Sequence, residues 1–202
     1  MTPLRIAVFA SHGGSDLQAI IDGCKSGSLA AEVCAVISNN SGSMALERAR
    51  QEGIPALHLS AKQSGDEERL AANILAALEA HGASMIFLAG YMRKLHPDVL
   101  ARYNNRVFNI HPALLPKYGG QGMYGMNVHR AVIEAGEPET GVTIHRVNAA
   151  YDSGAIVAQT TVPVQPGDTP ETLAARVLER EHTFLVEVIG SIIGGAIPLS
   201  CN

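Results

Sequence analysis

Short apolar runs alternate along this chain with segments whose apolar positions recur every third or fourth residue, and the alternation predicts the elements in order. LRIAVFA (4–10) is followed by the glycine turn SHGG and then by Leu17, Ile20, Ile21 and Cys24 at helical spacing, which predicts strand, turn and helix. EVCAVIS (32–38), rich in β-branched residues, the turn-like SNNSGS and the helical MALERARQEG, closed by Gly53, repeat the unit. A third pass gives ALHL (56–59), a helix over about 66–80 with Leu70, Ile74 and Leu78 on one face, and the strand SMIFLAG (84–90). Alternation of this kind implies a parallel sheet covered by helices.

HPDVLARY then predicts a short helix and RVFNI a strand, after which the pattern changes. GVTIHRV and AIVAQTTVPV follow one another as strands, so the C-terminal half of the sheet is expected to be partly antiparallel. KYGGQGMYGMNVH (117–129) reads as a glycine-rich loop, either a mobile flap or an ordered, tightly turned one. A last helix runs from about 168 or 169 to 193, with DTPE as its acidic first turn and Leu173, Val177, Leu178, Leu185, Val188 and Ile192 as its apolar stripe. The expectation is one Rossmann-like α/β domain over 1–202, without linker or repeat: a mostly parallel sheet flanked by helices, with antiparallel strands in the C-terminal half.

Composition agrees with that picture. A chain of 202 residues, 47% hydrophobic and 17% charged, can fill one substantial core. Its net charge of -4 and the lack of a Lys/Arg block argue against nucleic-acid binding. Cys24, Cys34 and Cys201 form no C-x-x-C pair, which suits a reducing cytoplasm rather than a disulfide framework. Neither a secretion signal nor a membrane span is expected, because MTPLRIAVFA lacks a basic region followed by a long apolar run and the C-terminal apolar stretch is broken by Glu187 and glycines.

The polar residues that interrupt the pattern are the candidates for chemistry. In VFNIHPALLPKYGG (107–120), Asn109 and His111 fall on one side of a strand end, and ligands in open α/β sheets bind outside such ends. An amide N–H and an imidazole that titrates near neutrality suit acyl transfer, although a strand-end histidine can equally be structural. Asp152, in the turn of NAAYDSGAIV, is within conceivable reach of His111, whose tautomer it would fix and whose basicity it would raise. In ASHGGSDLQAII, Gly13 and Gly14 allow a close turn before a helix whose free amides favour a phosphate, unless it is only a glycine turn with Ser15 or Asp16 as helix cap. Glu181 interrupts the apolar stripe of the last helix, where a carboxylate needs a partner such as ligand hydroxyls or an edge position that lets it reach solvent. The remaining histidines show no metal-ligand spacing, and His145, alternating with Thr143, either lines the site or is structural.

GGSDLQAII, LAGYMRKL, NIHPALLPKYGG, TGVTIH and YDSGAIVAQ, in this order over nearly the whole chain, closely resemble the phosphoribosylglycinamide formyltransferase family. The resemblance implies an enzyme that passes the formyl group of 10-formyltetrahydrofolate to the amine of glycinamide ribonucleotide in de novo purine biosynthesis. It implies no metal and no enzyme nucleophile, since the substrate amine attacks. Asn109, His111 and Asp152 match the family's catalytic positions, Gly14, Ser15 and Asp16 its phosphate loop, and Glu181 its ribose contact. The folate pocket is implied around Met92, Arg93 and Leu95, opposite the loop holding Asn148, Ala149 and Asp152. The ribonucleotide phosphate would then lie on the side of residues 1–105, and catalysis and folate on that of 106–202.

Two features depart from the family pattern. Aspartate stands at position 16 where asparagine is commoner, and it is expected to turn away and cap the helix while its backbone N–H meets the phosphate. The glycine-rich loop is longer than in the shortest members. Three rival readings differ from this one in features the sequence bears on. Methionyl-tRNA formyltransferase carries an extra C-terminal domain and formyltetrahydrofolate deformylase an N-terminal regulatory one, and this chain is expected to have room for neither. A non-catalytic nucleotide-binding domain has no need for Asn109, His111 and Asp152 together.

Overall fold

A computed structural model describes residues 3–199. The elements follow the apolar pattern: β1 (Leu4–Phe9), α1 (Ser15–Lys25), β2 (Ala31–Ser38), α2 (Met44–Gln51), β3 (Ala56–His58), α3 (Ala61–Ser64), α4 (Glu67–Ala80) and β4 (Met85–Leu88). The second half adds α5 (Pro97–Arg102), β5 (Val107–His111), α6 (Met126–Glu134), β6 (Glu139–Arg146), β7 (Ile156–Pro163) and α7 (Pro170–Ile193). Seven strands form one sheet in the order β3-β2-β1-β4-β5-β6-β7. Pairing is parallel as far as β5 and antiparallel at β5/β6 and β6/β7.

The sheet is covered on both faces, which explains why its central strands read as continuous apolar runs. One core joins β1 residues Ile6 and Val8 to Leu17 and Ile20 of α1, Leu46 of α2 and Leu173, Val177 and Leu185 of α7. The other joins Ala7 and Phe9 to Leu70, Ile74 and Leu78 of α4 and Val99 of α5. Side-chain caps start several helices where the sequence supplies them: Ser43 accepts from Leu46 N–H, Asp66 from Arg69 N–H, and Thr169 pairs reciprocally with Thr172.

Three local expectations are corrected. The segment 117–129 is not loop throughout, because α6 begins at Met126 and buries Val128, His129 and Val132. A one-turn α3, capped by Ser60, also precedes α4. Leu178 leaves the α7 stripe with 37% of its surface exposed, while Phe184 and Ile189 join it. Cys24 and Cys34 are free, and burial pushes the Cys34 thiol up to about 11, which leaves it unreactive at neutral pH. Cys201 lies outside the described residues. No helix among the described residues is long and apolar enough to cross a membrane.

Candidate active site

β1 and β4 are neighbours whose connections leave the sheet in opposite directions, and the crevice where such an order reverses is where open α/β sheets take ligands. A cavity of about 350 Å³ opens there. Asn109 and His111 from β5 line it, together with His145 from β6, Asp152 from the β6–β7 connection, Asp16 from α1 and Glu181 from α7.

The antiparallel switch sets the centre of the site. Register places Asn109 opposite His145 and His111 opposite Thr143. His145 Nδ1 lies 2.8 Å from the Arg146 carbonyl oxygen, which can only accept, so this nitrogen carries the proton. In the neutral ring Nε2 then accepts from the Asn109 amide at 3.0 Å. One N–H of Asn109 is thereby fixed, and the other is aimed by the planarity of the amide. The sequence alone leaves His145 open between lining and structural roles; the cross-strand pairing is the signal that decides it.

His111 is 4% exposed, and its Nε2–H donates to the Tyr118 carbonyl at 2.7 Å. Its Nδ1 stands 3.7 Å from Asp152 Oδ2. Burial lowers the His111 pKa below 6.5, and this outweighs the upward pull of Asp152 and the Tyr118 carbonyl, with His145 adding to the fall. The expectation that Asp152 makes His111 more basic is therefore half right: the carboxylate does pull upward, but desolvation wins and the imidazole rests neutral at pH 7.

Asp152 occupies a left-handed backbone conformation with φ 50°, a strained setting for a side chain other than glycine. Gly154, two residues on, passes so close to the Arg146 carbonyl that a Cβ would collide with it. The Asp152 carboxylate accepts from Gly120 N–H at 2.9 Å and has His145 Nε2 at 3.5 Å from Oδ1. Burial pushes its carboxyl up, but the neighbouring His145, the Gly120 N–H and the His111 ring together hold it below the usual carboxylate value. The glycine-rich segment thus touches both His111 and Asp152, contacts that composition alone did not reveal.

Beside the end of the cavity that Asp16 lines, Gly14 is the N-cap of α1 in left-handed geometry with φ 70°. The amides that open the helix have no intrahelical acceptor. Arg48 of α2 steadies this turn by donating to the Gly13 carbonyl at 2.9 Å and to Gln18 Oε1 at 3.0 Å. Asp16 does not cap the helix, contrary to expectation: Gly14 holds the cap, no side chain caps it, and the Asp16 carboxyl turns toward His182 of α7. Glu181 is 8% exposed, and burial, reinforced by the charge of Asp16, pushes its carboxyl well above the usual range.

At the other end, Met92, Arg93, Leu95 and Asn148 line the cavity. The Met92 N–H donates to Ser11 Oγ at 2.8 Å, and Lys94 Nζ lies 4.4 Å from the centre of the Tyr151 ring, bridging the two segments. Gly14, Ser15 and Ala149 stand outside the lining. No group of three or more His, Cys, Asp or Glu among the described residues is arranged to hold a metal ion.

Such a site offers hydrogen-bond donors for a developing oxyanion beside a carboxylate able to take a proton, flanked by an anion-accepting helix end and an apolar slot. A family described as formyl transferase matches residues 4–189. The chain is 42% identical over 189 residues to the chloroplastic phosphoribosylglycinamide formyltransferase of Arabidopsis thaliana, covering 93% of this chain and 65% of that one. It is 37% identical over 199 residues to the phosphoribosylglycinamide formyltransferase of Escherichia coli K12, covering 98% of this chain and 92% of that one. The structure of glycinamide ribonucleotide transformylase 1 from Symbiobacterium toebii superposes with a TM-score of 0.88 at 38% identity, over 96% of this chain and 89% of that one. The chain belongs to the formyl transferase family, among the phosphoribosylglycinamide formyltransferases.

Proposed function

We propose that this chain transfers the formyl group of 10-formyltetrahydrofolate to the amine of glycinamide ribonucleotide, giving N-formylglycinamide ribonucleotide and tetrahydrofolate in de novo purine biosynthesis. The observation that carries the reading is the convergence of Asn109, His111 and Asp152 on a cavity that also holds Glu181 and Met92. The ribonucleotide phosphate meets the amides of Gly14, Ser15 and Asp16, on the side of residues 1–105, and Glu181 accepts its ribose hydroxyls. Folate lies between Met92, Arg93 and Leu95 and the connection holding Asn148, Ala149 and Asp152. Catalysis belongs to the 106–202 side, and the cytoplasm is the proposed compartment.

Asn109 donates its free N–H to the formyl oxygen, while His111 moves its Nε2–H from the Tyr118 carbonyl to that oxygen. The substrate amine attacks the formyl carbon, and the carbonyl π pair passes to the oxygen between these donors. Asp152 takes the proton that the amine loses, directly or through one water, and returns it to the folate nitrogen as the carbon–nitrogen bond to folate breaks and the carbonyl re-forms. His145 touches no reacting atom and acts as a positioning residue by holding Asn109.

A spectroscopic assay of folate release, run with and without glycinamide ribonucleotide, tests the reading. Release that requires the ribonucleotide is expected. Formate release without it would mark a hydrolase, and binding of both ligands without turnover would mark a non-catalytic domain.

A further inference from the structure

Two buried polar atoms have no role in the proposed reaction. Asp16 Oδ1 and His182 Nε2 are each closed off from solvent and without a hydrogen-bond partner. They face one another at 3.7 Å, too far for a hydrogen bond and close enough for an ion pair. Asp16 is the second residue of α1, at the mouth of the proposed phosphate turn, and His182 follows Glu181 on α7.

The surroundings make the charge of this pair consequential. The Asp16 side chain is 13% exposed, and burial pushes its carboxyl up while His182 opposes that push. Glu181 adds a second buried carboxyl, itself disfavoured by the charge of Asp16. A phosphate arriving at the α1 amides would be a third anionic group in the same small volume. Arg48, the nearby cation on α2, is engaged with the Gly13 carbonyl and Gln18. His182 is differently placed: its side chain is 36% exposed, while its Nε2 faces inward to Asp16.

We propose that His182 is a positioning residue of the ribonucleotide subsite: facing Asp16, it offsets the charge of that carboxylate and so lets a phosphate turn carrying an aspartate accept an anion. This rests on the ribonucleotide reading above. Its distinguishing consequence is conditional, since His182 matters only while residue 16 is a carboxylate. An asparagine there carries no charge and has no need of such a partner.

A double-mutant cycle reads this directly. Binding of glycinamide ribonucleotide, without folate, is measured by calorimetry on the wild-type chain, His182→Gln, Asp16→Asn and the double variant, each checked for folding by circular dichroism. His182→Gln should weaken binding about tenfold or more with Asp16 in place, a lower bound on the effect of removing one partner of a largely buried ion pair. The same change should weaken binding less than about twofold in the Asp16→Asn background, within the range of independent sites, and Asp16→Asn alone should bind at least as tightly as wild type. Equal weakening in both backgrounds, or none in either, overturns the proposal. If His182→Gln does not fold beside Asp16, the double variant decides: affinity like that of Asp16→Asn supports the proposal, and much weaker affinity overturns it. A folded wild-type chain that does not bind the ribonucleotide overturns the functional reading itself, and this inference with it.

Discussion

Replacing Asp152 by asparagine separates the chemical role of this residue from its structural one. The substitution preserves size and leaves an oxygen that can still accept from Gly120 N–H, now at 2.9 Å from the carboxylate. What disappears is the negative charge 3.5 Å from His145 Nε2 and 3.7 Å from His111 Nδ1. Exchanging a hydrogen bond to a charged group for a neutral one costs about 1–2 kcal/mol, a modest share of the roughly 5–15 kcal/mol that holds a domain together. Losing the proton acceptor should lower kcat by about 10²–10⁴, equivalent to roughly 3–5 kcal/mol of activation free energy. The variant should therefore stay folded while turnover collapses. The assay measures kcat from folate release, affinity for a folate analogue and Tm on one preparation. Near-normal kcat, or analogue affinity falling in step with kcat, would remove Asp152 from the proton path. The pH profile adds a check of sign: the folded pKa lies below 3.8, so the carboxylate's stabilising contribution is complete above that value and fades only as pH falls through the lower one. Wild type and Asp152→Asn should accordingly keep a constant gap in Tm from pH 7 to pH 8, where His111 is neutral, and the gap should widen at lower pH wherever His111 takes up a proton that Asp152 favours.

Glu181→Gln should stabilise the unliganded protein, because the folded pKa of Glu181 lies above 4.5 and the wild type loses stability as pH rises from that value through the raised one. Its Tm gain over wild type should be small at pH 4 and larger at pH 8, with weaker ribonucleotide binding; equal gains at the two pH values would refute the burial argument. Gly14→Ala should lower both Tm and ribonucleotide affinity, since a Cβ at φ 70° would lie 2.9 Å from the Ala45 Cβ and left-handed geometry costs an alanine about 1–2 kcal/mol. An unchanged Tm would mean that the turn adapts, and any affinity loss would then report phosphate contact alone.

The alternation of β1 to β4 with their helices was legible because β1, β2 and β4 are buried on both faces and each longer helix on one, so burial writes directly into the order of residues. α6 was hidden for a local reason: its N-cap is Gly125, without a capping side chain, and it follows a run of glycines that reads as loop. Leu178 misled because helical spacing identifies a stripe but not where the neighbouring layer ends. Asn109, His111 and Asp152 were legible as residue types at a strand end and in a turn, and more firmly through the family resemblance. Their balance of charge was not, since the neutral state of His111 depends on how much water the fold removes. Nor could sequence pair Asp16 with His182, because nothing in local spacing links the start of the first helix to the middle of the last.

The antiparallel ladder between β5 and β6 bears on which length changes in the gene the protein can absorb. His145 faces Asn109 because Ile144 faces Ile110 and Phe108 faces Arg146, and a strand displaced by one residue turns each side chain to the opposite face. A one-residue deletion inside β6 would thus send an imidazole into packed hydrocarbon and an isoleucine into the cavity, and the chain would lose its fold before it lost its activity. Quality control in the cell would remove such a product before selection on metabolism could act on it. Tolerated insertions and deletions should fall between the ladders, chiefly at surface turns away from the cavity, and not in the stretch from Tyr118 to Gly125, whose backbone holds His111 and Asp152.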